Sequence, residues 1–456
     1  MDAVVDFINV NRDRYLRELG DLLAIPSISA LPEHQTDVRR CAEWCGDEMR
    51  RVGLQNVKLI ETPGNPVVYG DWLGAPEAPT ILFYGHYDVQ PVDPLDLWES
   101  PPFTATVRDG EIFARGSADD KGQVFMHLKA IEAYLKQIGR LPVNIKLILE
   151  GEEEVGSGHL DDFVRGHRDD LKASLVVISD SPMFARGVPS ICYGLRGLVY
   201  FQIDLRGSRT DLHSGSFGGA VANPAFVLAQ MIAQMKDRAG RIKIPGFYDE
   251  VRPLEEVERQ AWASLPFSEK AYRKDFGIPK LAGEAGYSTL ERTWARPTLE
   301  VNGLLSGFTG EGAKTVLPAV AMAKISMRLV PDQDPDKMAN LFQAYVEKIA
   351  PKAVELKVTR MHGGRPWMTS FDHPFVKAAA RAIEKGFGRA PIFTREGGSI
   401  PVVSTFQEEL GLPSVLFGVG LPDENAHAPN EKLDVGNFHN GIIASAYLYE
   451  EIGAVR

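Results

Sequence analysis

Buried-strand patterns in this chain run, again and again, straight into acidic residues and histidine. The apolar run at 80–84 leads into Gly85-His86-Tyr87-Asp88, the run at 143–149 into Glu150-Gly151-Glu152-Glu153-Glu154, and the run at 175–178 into Ser179-Asp180. Ser117-Ala118-Asp119-Asp120-Lys121-Gly122 joins a hairpin pattern to a helical one, and Asn425-Ala426-His427 lies near the C-terminus. Continuous apolar runs of this length fit strands covered on both faces. In open α/β sheets, ligands bind beyond the carboxyl ends of such strands. Carboxylates gathered there repel one another unless a cation sits between them. The pattern therefore predicts an α/β fold carrying a site for two metal ions.

The rest of the chain sorts around that core. Val38, Cys41, Ala42, Cys45, Met49 and Val52 recur at helical spacing, which predicts a helix over 36–52. Asp109-Gly110 between two short strand patterns reads as a hairpin turn. A helix is expected over about 121–135. From Gly197 the pattern changes: residues 198–205 alternate like a half-buried antiparallel strand, and Asn223-Pro224 opens a helix through Met235. Polar, Pro-rich segments fill 244–296, strand patterns return over 298–330 and 354–361, and Pro335 opens a helix to about Ile349. After Pro374 the α/β character resumes and ends in a helix from about Val435. At 456 residues the chain exceeds one ordinary core. The expected architecture is an α/β domain of residues 1–196 and 373–456, with a mostly parallel sheet, interrupted by an inserted α+β domain at 197–372.

Composition narrows the function. A formal charge of −11, from 61 acidic against 50 basic residues, disfavours nucleic acid or an anionic membrane as the main partner. Three cysteines, Cys41, Cys45 and Cys192, cannot form a disulfide framework, which points to a reducing compartment. The N-terminal segment lacks a signal-peptide pattern and no stretch is long and apolar enough to span a bilayer, so the expected location is the cytoplasm.

Each cluster taken alone is ambiguous. His86 and Asp88, two apart on an extended chain, point the same way and could face one site, yet could also be a loop histidine and a capping aspartate. Asp119-Asp120 could bridge metals or simply favour a helix dipole. The run at 150–154 could be a solvated acidic loop, or could divide metal binding and proton transfer between neighbouring glutamates. Their common position after successive buried strands favours the site. Carboxylate and imidazole without clustered cysteine fit zinc, manganese or cobalt. Other chemistries find no support. Residues 307–315 resemble a phosphate loop but place Ala313 between Gly312 and Lys314, and neither Gly-x-Ser-x-Gly nor His-Glu-x-x-His occurs.

The chain resembles the two-metal exopeptidase superfamily of aminoacylase, carboxypeptidase G and succinyl-diaminopimelate desuccinylase, and within it the cytosolic nonspecific dipeptidase and carnosine dipeptidase branch. The motifs that carry the resemblance are Gly-His-Tyr-Asp-Val-Gln-Pro (85–91), Arg-Gly-Ser-Ala-Asp-Asp-Lys-Gly (115–122) and Asp-Leu-His-Ser-Gly-Ser-Phe-Gly-Gly (211–219). Ala-Lys-Thr-Val-Leu-Pro (313–318), Arg-Leu-Val-Pro (328–331), His-Gly-Gly-Arg-Pro-Trp (362–367) and Arg-Glu-Gly-Gly-Ser-Ile-Pro (395–401) continue it in order.

The resemblance implies that His86 and Asp180 hold one metal, that Glu154 and His427 hold the other, and that Asp119 bridges them, often through a cis peptide to Asp120. It implies Asp88 as the orienter of His86 and Glu153 as the base that takes a proton from water. His213, Thr315, Arg328, His362 and Ser399 resemble substrate-binding residues, with Arg328 on the substrate carboxylate and His213 acting across a dimer interface on the oxyanion. Glu152-Glu153-Glu154 could place base and ligand one position away from this assignment. The function so implied is metal-dependent hydrolysis of dipeptides or short peptides by a homodimer joined through the inserted domain, with zinc the first candidate metal. The rivals are N-acyl-amino-acid deacylation or desuccinylation on the same metals, and a metal-binding module without catalysis.

Overall fold

A computed structural model describes residues 1–398 and 400–455, apart from the Pro401 side chain. The chain divides into two compact units: Met1–Tyr193 with Thr369–Thr394 and Thr405–Arg456, and Gly194–Met368 with Arg395–Ser404.

In the first unit, apolar runs form the expected buried strands Thr80–His86, Asn144–Glu150 and Leu175–Ile178, joined by Ser414–Leu416. The order Asn144–Glu150, Thr80–His86, Leu175–Ile178, Ser414–Leu416 is parallel throughout. Val67–Trp72 and Gln55–Ile60 extend one edge as antiparallel strands, and Ser190–Leu195 pairs antiparallel beyond Ser414–Leu416. The parallel centre is buried and mostly apolar because helices cover it. Gln35–Val52, Lys121–Gln137 and Val435–Gly453 contribute Met49, Phe125, Ile131, Phe438 and Ile442 to one core. Burying each such side chain contributes about 1.5–3 kcal/mol. The strands' carboxyl ends therefore emerge together, and His86, Glu150 and, two residues past its strand, Asp180 share one edge. Asp109 (φ 52°) and Gly110 (φ 80°) turn the hairpin Thr106–Arg108/Glu111–Phe113 with both central residues left-handed, the form that matches strand twist.

His127, on the helix Lys121–Gln137, sits fully in this core against Phe83, with its Nε2 2.7 Å from Ser179 Oγ and its Nδ1 without a hydrogen-bond partner. Burial alone pushes its pKa down to about 3. The unfolded chain takes up a proton below the ordinary value of about 6.5 while the folded chain refuses it. The stability contributed by neutral His127 is thus complete above that value and lost as pH falls towards 3. By pH 5 the loss amounts to about 2 kcal/mol. Denaturant unfolding of chelator-treated protein at pH 7 and pH 5 should show wild type losing about that much more stability than His127→Gln; equal losses would remove His127 as the cause.

The second unit is built on an antiparallel sheet in the order Thr298–Ser306, Val320–Leu329, Gly197–Arg206, Glu355–Gly364. Alternation along Gly197–Arg206 buries Val199, Phe201, Ile203 and Leu205 against Leu228 and Met231 of Pro224–Met235 and Met338 and Phe342 of Pro335–Ile349. Within 244–296, where only polar segments are expected, three short helices form: Glu256–Ala263, Glu269–Asp275 and Thr289–Trp294. Reciprocal caps at Glu255/Glu258 and Ser288/Glu291 start two of them, and Ser268 caps the third. Helices of 6–8 residues show too little apolar periodicity to stand out in sequence. The helix Pro401–Leu410 likewise falls where none is expected. Among the described residues no helix is long and apolar enough to cross a membrane.

Candidate active site

The strand ends bring their polar residues together. His86 Nε2 lies 3.1 Å from Asp119 Oδ1 and 4.0 Å from Asp180 Oδ2. His427 Nε2 lies 2.9 Å from Asp119 Oδ2 and 3.3 Å from Glu154 Oε2. Two triads result, His86/Asp119/Asp180 and Asp119/Glu154/His427, and within each the ligand atoms all lie within 4.8 Å of one another. Asp119 belongs to both and turns one oxygen to each histidine. The Asp119–Asp120 peptide is cis.

Neighbouring groups hold these side chains in place. His86 Nδ1 is 3.1 Å from the Asp88 carbonyl oxygen and 3.4 Å from Asp88 Oδ1, so Nε2 is left for the cluster. The fully buried Asp88 carboxylate also accepts the backbone N–H of Glu153 (3.3 Å) and Glu154 (3.2 Å), fixing the turn that carries both glutamates. Gln90 Nε2 donates to Glu154 Oε2 at 2.7 Å. Behind the turn, Glu150 Oε1 accepts from Ser157 Oγ at 2.8 Å and from the Tyr84 hydroxyl. Glu152 points elsewhere: its Oε2 lies 2.9 Å from His159 Nδ1. Gln90, Glu150 and Ser157 carry no sequence signal of their role, because each acts through partners distant along the chain or through the local turn.

The cluster is electrostatically overloaded. Burial, helped by Asp119, pushes Asp180 up to about 7 and Glu154 up to about 8. Burial also raises Glu153, which lies within electrostatic reach of His86, Asp119, Asp88 and His427. Burial opposes the charge on Asp119 too, but hydrogen bonds from His427 and His86 hold its pKa below the ordinary carboxylate value. Its hydrogen bond to Asp119 raises His427 to about 9. Asp120 is buried with Oδ1 unpartnered. Carboxylates that must share protons to coexist are a strong field for cations. The donor set of imidazole nitrogen and carboxylate oxygen, three per position with one shared, fits two divalent ions of the zinc, manganese or cobalt type.

His213, Thr315, Arg328 and His362 lie in the second unit. His213 precedes the short helix Ser214–Phe217, accepts from Gly215 N at 3.1 Å, and pairs with Val316, while Ser214 N donates to the Thr315 carbonyl at 3.1 Å. His213, ending the strand Leu212–His213, and Thr315, just before its partner strand Val316–Leu317, are thus neighbours. Arg328 pairs with Leu198 on the central strand, and His362 stacks on Tyr200 with ring centroids 5.1 Å apart. Arg328 and Tyr200 lie on the sheet face opposite the core, and Arg328 lines a cavity of about 430 Å³ with Arg196, Lys236, Glu284, Arg296 and Glu300. Ser399 falls outside the described residues.

Paired carboxylate–imidazole triads at the strand ends of an α/β unit, with the half-buried Glu153 beside them, fit a metal-dependent hydrolase. Residues 82–451 match the Peptidase family M20/M25/M40, and the chain belongs to that family. It is 36% identical to the Cys-Gly metallodipeptidase DUG1 of Candida albicans over 97% of this chain and 95% of that protein. The crystal structure of human carnosine dipeptidase 1 is 31% identical and superposes with a TM-score of 0.82, covering 99% of this chain and 98% of that one. The M20 metallo-carboxypeptidase Sso-CP2 of Sulfolobus solfataricus is 34% identical with a TM-score of 0.85, covering 96% and 99%.

Proposed function

We propose that this chain hydrolyses the peptide bond of dipeptides, with Glu153 as the proton carrier beside two divalent ions. The two triads sharing Asp119 carry the reading. His86 and Asp180 would hold one ion, Glu154 and His427 the other, and Asp119 both. Zinc is the first candidate, with manganese or cobalt as alternatives. Bound there, the ions would supply Lewis-acid polarisation of the scissile carbonyl and a more acidic water. Glu153 takes the proton of the attacking water and passes it to the leaving amine. Its raised pKa suits both duties, since a carboxyl poised nearer neutrality accepts and returns a proton with less loss. Arg328 receives the substrate carboxylate, and Thr315, His362 and Ser399 complete that end; His213 serves the oxyanion, in a homodimer joined through the second unit. Three buried free cysteines suit a reducing cytoplasm.

The relatives named as dipeptidases favour dipeptides over acylated amino acids. The test is a panel of Cys-Gly, carnosine and other dipeptides beside N-acetyl- and N-succinyl-amino acids, with and without a chelator. Chelator-sensitive cleavage of dipeptides is expected. Preference for the acylated substrates would replace this reading with a deacylase, and no metal-dependent cleavage of either class would end it. Arg328→Met should raise KM for dipeptides about 10–100-fold with a smaller change in kcat, the cost of one charge-assisted hydrogen-bonded pair. An unchanged KM would remove Arg328 from the substrate's carboxylate.

A further inference from the structure

Glu431 belongs to neither triad and is fully buried, four residues beyond His427. Its carboxylate accepts four hydrogen bonds, all from the segment that ends in Asp119. Oε2 accepts from Arg115 Nη1 at 2.7 Å and Gly116 N at 2.9 Å; Oε1 accepts from Ala118 N at 2.9 Å and Asp119 N at 3.1 Å. Every partner is a donor, which matches the acceptor oxygens of a carboxylate. Arg115, itself buried, supplies the compensating charge and is held in turn by the Pro91 carbonyl at 3.0 Å. The Glu431 carbonyl also accepts from Ala114 N at 3.2 Å. Residues 114–119 are thus wrapped around one residue of the C-terminal segment.

That segment carries His427, whose side chain is 58% exposed and so is not held by packing. Its backbone is left-handed at Asn425 (φ 58°), His427 (φ 60°) and Asn430 (φ 61°), a conformation that asparagine and histidine adopt more readily than most residues. Asn430 supplies one anchor, accepting from Glu99 N at 2.8 Å and donating to the Leu97 carbonyl at 2.9 Å. Glu431 is the next residue and supplies the other.

We infer that Glu431 is a positioning residue that locks the Asp119 segment to the His427 segment, so that the shared ligand and the exposed histidine meet the same cation. A buried ion pair serving stability alone would need only Arg115. Three of the four bonds instead go to backbone N–H groups, one of them the N–H of Asp119 itself. The inference rests on the two-metal reading of the site.

Glu431→Gln keeps the shape but turns an NH2 group toward N–H donors. Chelator-stripped full-length protein is titrated with Zn²⁺ by calorimetry, and the melting temperature of the metal-free protein is recorded beside it. Wild type is expected to bind two ions per chain. Glu431→Gln is expected to bind at least one of them about 10–100-fold more weakly, the usual cost of losing a group that orients a ligand. A variant that melts lower without metal but binds both ions with wild-type affinity would show a purely structural role and overturn the inference. Should Glu431→Gln fail to fold, Glu431→Asp keeps the acceptors on a shorter arm and takes its place, with weakened binding again expected and wild-type affinity again fatal. Wild type binding no ion would overturn the two-metal reading as well, an outcome distinct from a variant that matches wild type.

Discussion

Glu153→Gln should lower kcat on the best dipeptide by about 10²–10⁴-fold while leaving the metal content unchanged. The carboxamide fills the same space and cannot accept a proton at neutral pH, so the substitution removes proton transfer and little else. Glu153 is not among the triad ligands, so the ions should stay. KM should move little if, as proposed, Arg328 reads the carboxylate end of the substrate. The control is its neighbour: Glu152→Gln should stay within a few-fold of wild type, since Glu152 is turned to His159 and away from the cluster. Steady-state kinetics with metal analysis of both variants decides it. Loss of activity in Glu152→Gln with retention in Glu153→Gln would shift the base by one position.

That comparison also marks how far the sequence is legible. The strands Thr80–His86 and Leu175–Ile178 are visible because burial on both faces leaves an uninterrupted apolar run, and the polar residue ending each run identifies the sheet edge. Asp119 and His427 are candidates by residue type, but their pairing is legible only through motif resemblance, since nothing local says that residues 308 apart in sequence will meet. The division of labour within residues 152–154 is beyond periodicity for a physical reason. The three glutamates enter a 3-10 turn, Glu153–Val155, where successive side chains diverge. Their directions are set by Asp88 accepting two of their N–H groups and by His159 drawing Glu152 aside. Those contacts depend on tertiary placement. Glu431 is hidden for the same reason: in sequence it is one acid in a polar loop, and only the folded chain brings four donors to it.

Asp119→Asn should abolish most of the stabilisation that metal confers. In a cluster where one carboxylate serves two cation positions, neutralising it takes a charge from both at once, unlike loss of Asp180 or Glu154, which belong to one triad each. An ion present at about 1,000 times its Kd stabilises the folded state by about 4 kcal/mol, so two such ions would raise the melting temperature of wild type by many degrees. The carboxamide keeps one oxygen but puts an NH2 group toward the other histidine, where Asp119 Oδ1 and Oδ2 now stand 3.1 Å and 2.9 Å from His86 and His427. Melting of stripped protein with increasing Zn²⁺ should therefore show a large upward shift for wild type, a partial one for Asp180→Asn, and almost none for Asp119→Asn. The ordering is the discriminating result. If the positions were independent, with Asp119 serving one, Asp119→Asn and Asp180→Asn would retain equal shifts. Because the readout is a difference between metal-loaded and metal-free forms of the same variant, the change that each substitution makes to the metal-free baseline is subtracted.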